Sequence, residues 1–251
     1  MRLKDKVAII TGAGSGQGRA EAILFVKEGA KVVVDDEHED EAKETVKIIE
    51  KEGFKDKAIA IKANVSKEEE VKKMVDETIK TFGKIDILVN NAGVYRGHLV
   101  TETTNEEWNE LFGTNLWGPF LCCKYVIPYM LKQGKGKIIN ISSIGGLIAL
   151  EGSAPYNATK GGLIAFTKGL ALDYAAKGIN VNCVCPGWTI TPMIQALVDD
   201  PNMSKALLAD IPCGRFAQPI EQAQLVLWLA SEESIYMHGA VINNDGGWMI
   251  R

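Results

Sequence analysis

Short runs rich in β-branched residues alternate along this chain with stretches of helical period, and that rhythm restricts the fold more than any other feature. The runs fall at 7–10, 31–34, 58–61, 85–89, 137–141 and 180–184, with a seventh expected near 240–243. Between them, apolar residues recur at helical spacing over 19–28, 40–52, 67–82, 105–132, 155–176 and 219–230. Strand, helix, strand without interruption requires crossover connections, and therefore a parallel sheet covered by helices on both faces. Gly29-Ala30 and Gly83-Lys84 read as helix stops that feed the next strand. No repeat or linker interrupts the pattern, so residues 1–251 are expected to form one α/β domain, a doubly wound, seven-stranded parallel sheet.

The rhythm breaks once. From Pro186 to Pro219 there is no strand, only two weakly amphipathic pieces at 192–199 and 203–210 among several prolines. A long excursion after a parallel strand is usually a lid over a ligand site, and a lid is expected at about 186–219.

With a net charge of −4 and no basic stripe, the chain lacks the means to neutralise a phosphate backbone, which excludes nucleic acid as a partner. MRLKDK leads into only four apolar residues before Thr11, too few for a signal peptide or a membrane span, so a cytoplasmic protein is expected. The five cysteines, Cys122, Cys123, Cys183, Cys185 and Cys213, have no metal-ligand spacing and read as buried reduced thiols. His38, His98 and His238 each stand alone in polar surroundings and read as surface residues.

The first run ends in TGAGSGQGRA, residues 11–20. No Lys follows the glycines as a Walker loop requires, and Gln17 stands where the usual dinucleotide fingerprint needs a third glycine. In an open parallel sheet, ligands lie beyond the carboxyl ends of the strands, where strand order reverses. The glycines therefore sit where backbone amides and a helix N-terminus can face a pyrophosphate, and a side chain at Gly12 or Gly18 would block that approach. The spacing is Gly12-x3-Gly16-x-Gly18.

That spacing resembles the cofactor loop of the short-chain dehydrogenase/reductase family, and further motifs follow in the family's order. Asn90-Asn91-Ala92-Gly93 comes after the fourth run, Asn115 lies within FGTNLWG, and Ser143 follows the fifth run. Tyr156 and Lys160 form a Tyr-x3-Lys pair, and Pro186-Gly187 comes after the sixth run. Together they span Val7 to Gly247, essentially the whole chain. The resemblance implies a Rossmann fold and hydride transfer between an alcohol carbon and a nicotinamide. It implies that Tyr156 is the general acid/base and that Lys160 lowers its pKa and holds the ribose hydroxyls. Ser143 would bond the substrate oxygen, and Asn115 would help a water connect Lys160 to solvent. Ser142 is the rival hydroxyl; alternation along an extended segment lets only one of the two face the site, and the family's spacing to Tyr156 selects Ser143. By the same resemblance, the cofactor contacts include Gly12, Ser15, Gly16, Gln17 and Gly18 in the loop, and Asn64-Val65 after the third run. They continue with Asn91, Ala92 and Gly93 after the fourth run, then Tyr156 and Lys160, and finally Pro186, Gly187, Thr189 and Thr191.

The Tyr156–Lys160 spacing has a physical rationale of its own. A phenol of pKa about 10 is a poor base at neutral pH. Residues i and i+4 share one helix face. An ammonium about 4 Å from the phenolate would gain roughly 4 kcal/mol at an effective dielectric of about 20, on the order of three pKa units. On that arithmetic the phenolate is accessible near neutral pH.

The second run ends in Asp35-Asp36, followed by Glu37. A carboxylate about twenty residues beyond the glycine loop accepts hydrogen bonds from the adenosine ribose hydroxyls and repels a 2′-phosphate. No Arg or Lys stands at 15 or 35–39, so NAD is the expected cofactor. Asp36 matches the family's discriminating position, but the doubled acid leaves either carboxylate as the ribose partner. Two departures from the family pattern are Gln17, where Ile or Leu is usual, and Asn64-Val65, where Asp-Val is usual. An Asn carbonyl can still accept from the adenine amino group.

The substrate pocket is expected between Tyr95, Ile144, Leu150, Trp188 and Met193, beside Ser143 and Tyr156. Mostly apolar walls suit a medium-sized secondary alcohol or its ketone, cyclic ones included. Glu151 could bind a second hydroxyl or amine if it points inward. The alternatives are a 3-ketoacyl-thioester reductase, which usually wants NADPH and a basic entrance, and a non-catalytic NAD-binding regulator. Segments 105–132 and 155–176 are apolar on more than one face, and the resemblance implies a homotetramer built on them, with 246–251 closing a second interface.

Overall fold

The computed structural model describes residues 1–250. Seven parallel strands form one sheet: β1 (Val7–Ile10), β2 (Lys31–Asp36), β3 (Ala58–Lys62), β4 (Ile87–Asn90), β5 (Gly136–Ile141), β6 (Ile179–Pro186) and β7 (Val241–Asn244). Their order across the sheet is β3-β2-β1-β4-β5-β6-β7. The chain winds outward from β1 to β3, then returns to lay β4 on the other side of β1. Ile10 is thus in register with both Val34 and Val89. The reversal leaves a crevice between the carboxyl ends of β1 and β4, and the glycine loop leaves β1 at that point.

The five central strands are buried on both faces because helices cover both, while the edge strands β3 and β7 are only half-buried. One apolar layer joins Ala8, Ile10, Val32 and Val34 to α1 (Gly16–Lys27), α2 (Glu39–Lys51) and α9 (Pro219–Ala230). The opposite layer joins Ile9, Val33, Leu88 and Val181 to α3 (Glu68–Phe82), α5 (Gly118–Gln133) and α6 (Ala154–Tyr174).

Most expected boundaries move by one or two residues, with β2 running on to Asp36 and β6 to Pro186, and three differences have a clear local reason. The helix expected at 19–28 begins at Gly16, so the last two motif glycines lie in its first turn. The strand expected at 85–89 begins at Ile87, because Gln133 bonds both backbone groups of Ile85, and the Asp86 carboxylate accepts from Val7 N at 2.8 Å. The single helix expected at 105–132 is α4 (Asn105–Phe112), a π-helical stretch Gly113–Trp117, and α5. Thr104 and Glu107 cap α4 reciprocally. Between β6 and α9, α7 (Gln195–Asp199) and α8 (Pro201–Ala209) stand where the two amphipathic pieces were expected.

One feature of α1 conflicts with its setting. Glu21 is fully buried with neither carboxylate oxygen hydrogen-bonded, and burial pushes its pKa up to about 8.

Candidate active site

The crevice holds a cavity of about 370 Å³ that runs from Asp36 and Glu37 at one end to Tyr156, Trp188 and Met193 at the other. Its floor is the glycine loop. Gly12 has φ +62°, and a Cβ there would lie 2.8 Å from Ala92 Cα; at Gly18 it would lie 2.3 Å from the Gly12 carbonyl oxygen. Only glycine fits either place, and the cradle this leaves suits a pyrophosphate against the α1 N-terminus. Ser15, Gly16 and Gln17 line it as expected, and Thr191 closes over Gly16.

The loop is held from behind by residues that the motif does not contain. Thr45 of α2 donates to the carbonyls of Ala13 or Gly14, at 3.0 and 3.1 Å, and the Arg19 guanidinium bonds Thr45 Oγ1 and Gly14 O. Asn91 Nδ2 donates to Thr11 O and Gly12 O at 2.9 and 3.0 Å, while Thr11 Oγ1 accepts from the amides of Asn91 and Ala92. The amides of Ala13 and Gly14 are also taken, by Asp35 O at 2.8 Å and by the Asp36 carboxylate, so the uncapped first-turn amides of α1 are the donors left to face the cleft. The one sequence signal for Thr45 was its place between Ala42 and Ile49 on the apolar face of α2.

At the adenosine end the two aspartates separate. Asp36 lines the cavity, and its carboxylate accepts from Gly14 N at 2.9 Å and His38 N at 3.0 Å. Asp35 also borders the cavity, but its side chain alternates to the opposite face of β2, fully buried, with both oxygens unpaired; burial and the neighbouring Asp36 charge push its pKa well above the usual carboxylate range. Asp36 is therefore the ordered carboxylate of the pair. Asn64 departs from expectation. Its Oδ1 accepts from Ser66 N and Oγ at 2.9 and 2.6 Å, and its Nδ2 donates to Glu37. The side chain is spent on its own turn, although Asn64 and Val65 do line the cavity.

At the other end, Ser143, Tyr156 and Lys160 converge on the cavity. Ser142 does not compete: its Oγ donates to Lys160 O at 2.8 Å. Ser143 Oγ accepts from Gly145 N at 3.0 Å and neighbours the Tyr156 hydroxyl, whose pKa it lowers. The expected ammonium–phenol pair takes a different form. Lys160 Nζ donates to Ile141 O at 3.0 Å and lies 5.7 Å from the Tyr156 ring centroid. Burial dominates both groups, pushing Tyr156 up to about 12, against the opposing influence of the Ser143 hydroxyl, and Lys160 down to about 8. In the ligand-free protein the phenol is thus protonated at neutral pH, contrary to the arithmetic above, which left out desolvation.

Asn115 occupies the π-helical stretch, fully buried and off the cavity wall. Its amide bonds both backbone groups of Val94 at 2.8 and 2.9 Å. It meets Lys160 only across Gly93, where a Cβ would be 3.3 Å from Lys160 Nζ and 3.4 Å from Asn115 Oδ1.

Beyond β6, Pro186, Gly187, Trp188, Thr189, Thr191 and Met193 line the cavity. Thr189 does so with its hydroxyl already spoken for: it donates to Gly187 O and accepts from Gln222 Nε2, both at 3.1 Å. Gln222, buried on α9, was missed because it stands between Glu221 and Gln224 and belongs to no motif, so nothing in the sequence sets it apart. Tyr95, Ile144 and Leu150 form the substrate-side wall, whereas Glu151 is exposed and takes no part in it. Four cysteines are buried and free, but Cys213 is exposed. His98 and His238 are not isolated: His98 lies 3.2 Å from Glu107, and His238 is 3.1 Å from Asn180.

A family model described as enoyl-(acyl carrier protein) reductase matches residues 12–249. The chain is 41% identical over 250 residues to a 3-oxoacyl-[acyl-carrier-protein] reductase, FabG, of Thermotoga maritima, covering 100% of both chains. It belongs to the short-chain dehydrogenase/reductase family. Among solved family members, it superposes with a TM-score of 0.91 and 34% identity on a 3-ketoacyl-(acyl-carrier-protein) reductase of Brucella melitensis complexed with NADH, covering 98% of this chain and 99% of that one. A gluconate 5-dehydrogenase of Burkholderia cenocepacia, in complex with NADP and tartrate, gives 0.94 and 36%, covering 100% and 97%. This short-chain dehydrogenase/reductase is an oxidoreductase acting between a CH–OH group and a ketone. Among its described residues, no helix is long and apolar enough to cross a membrane.

Proposed function

We propose that the protein is an NAD-linked oxidoreductase that interconverts a secondary alcohol and its ketone. The observation that carries the cofactor preference is Asp36, a carboxylate fixed by two backbone amides at the adenosine end of the cavity that also contains Tyr156. A 2′-phosphate would meet that charge with no cation at 15 or 35–39 to offset it. When bound, the oxidised nicotinamide supplies the hydride acceptor and a positive charge.

The chain's own residues would do the rest. The uncapped first-turn amides of α1 would hold the pyrophosphate, and Lys160 would bond the nicotinamide ribose. Ser143 keeps its hydroxyl proton available to donate, because its Oγ lone pair already accepts from Gly145 N. It can therefore orient a substrate oxygen towards Tyr156, which takes or returns the hydroxyl proton. The segment at about 186–219, with α7 and α8 on it, acts as the lid. Trp108 and Trp117, 43% and 47% exposed on α4 and the π-helical stretch, with Leu172 at 85% on α6, are covered by further copies in a cytoplasmic homotetramer.

Two substrate classes have support. The relatives favour a 3-oxoacyl thioester, the runner-up, over a free cyclic alcohol. The free ketone or alcohol is supported by charge: Asp199, Asp200 and Asp210 are exposed on and beside the lid, which is no basic entrance for an acidic carrier protein. Turnover with NAD(H) and NADP(H) against 3-oxoacyl thioesters and free ketones tests both choices. Higher efficiency with NADP overturns the reading of Asp36, and activity confined to thioesters overturns the free-ketone reading.

A further inference from the structure

Tyr95 lies on the loop after β4 and reaches across the cavity mouth. Its ring meets that of Tyr156 edge-on, with centroids 5.1 Å apart and planes at 88°. Its hydroxyl is 3.0 Å from Ser153 Oγ, at the start of α6. Ser153 is buried and gives its own proton to Glu151 O at 3.1 Å, so Tyr95 is the donor in that pair. The loop is shaped around this arrangement: a Cβ at Gly97 would lie 2.8 Å from Tyr95 Oη. One side chain thus ties the β4 loop to the β5–α6 loop and leans on the phenol between them.

We propose that Tyr95 is a positioning and specificity residue: the Tyr95–Ser153 hydrogen bond holds the Tyr95 ring against Tyr156 and sets how much bulk the ketone can carry on that side. Because the hydroxyl points into the protein, the substrate meets ring carbon alone. That wall accepts a compact apolar substituent and offers a polar one no partner. The inference rests on Tyr156 being the acid/base group of the proposed reaction.

The test uses full-length wild type, Tyr95→Phe, Ser153→Ala, the double variant, Tyr95→Ala and Tyr156→Phe. Each is assayed with NADH against a series of unbranched, ring and bulky ring-substituted ketones and the acetoacetyl thioester of N-acetylcysteamine. Tyr95→Phe and Ser153→Ala should each lower kcat several-fold and shift its pH profile, leave KM for NADH unchanged, and not add in the double variant. Tyr95→Ala should raise the preference for bulky over compact ketones at least tenfold. Ser153→Thr, which keeps the hydroxyl, should restore the profile. Wild-type kcat, pH profile and substrate preference in Tyr95→Phe and Tyr95→Ala, with Tyr156→Phe inactive, overturn the role of Tyr95 alone. A wild type that reduces no member of the series, or an active Tyr156→Phe, overturns the function beneath it.

Discussion

Lys160 and Tyr156 stand one helical turn apart, yet the ammonium donates to the Ile141 carbonyl at 3.0 Å instead of reaching the phenol. The backbone of β5 therefore anchors the lysine, and the tyrosine relies on other groups to give up its proton. Burial opposes the charged form of both, which is why neither titrates where an exposed pair would.

That anchoring sets an expected pH dependence. Lys160 is cationic below about pH 8 and neutral above it in the free protein. Since kcat/KM reports groups of the free enzyme, its profile should break near that pH, with the favourable cation lost on the alkaline side. The break should vanish in Lys160→Met; an unchanged break there would assign it to another group.

Removing the phenolic oxygen isolates proton transfer. Tyr156→Phe keeps the ring against Tyr95 and should lower kcat by about 10²–10⁴, the usual range for a general acid/base. NADH affinity, read by fluorescence titration, should change little. Retained turnover would leave the non-catalytic regulator as the better account.

Cofactor choice should follow one carboxylate. Asp36→Ser removes the charge at the adenosine end and leaves the amides of Gly14 and His38 to a weaker acceptor. Relative kcat/KM should shift towards NADP by roughly tenfold to a hundredfold, the equivalent of about 1.4–2.8 kcal/mol. Asp35→Ser, with its carboxyl buried away from hydrogen-bond partners, should not reproduce that shift.

Glu21 makes stability depend on pH in the direction opposite to a paired carboxylate. Its pKa rises from 4.5 to about 8 on folding, so the native state holds the extra proton between those values. Stability is fully present below 4.5, falls by up to about 1.4 kcal/mol per pH unit as the pH rises, and levels off above about 8. Glu21→Leu should remove that slope, so its advantage in Tm widens from pH 5 to 8. Parallel Tm curves for the two proteins would show that Glu21 finds a partner on folding.

Much of the molecule was legible in the chain itself. Strand order along the sequence, the parallel sheet, the glycine floor and the Tyr156–Lys160 spacing are local patterns, set by period and by the absence of a Cβ. They hold wherever the segment sits. The hydrogen-bond partner of each polar atom is another matter, because residues far apart in the chain compete for it. Asn64 turned to Ser66 and Glu37, Thr189 to Gly187 and Gln222, and Lys160 to Ile141. Desolvation was equally hidden: Asp35 and Asp36 are neighbours of one type, and the pleat of β2 buries one without a partner while giving the other two amides. Period and motif depend on neighbours along the chain, whereas burial and pairing depend on neighbours in space, and those exist only once the sheet and its helices have packed.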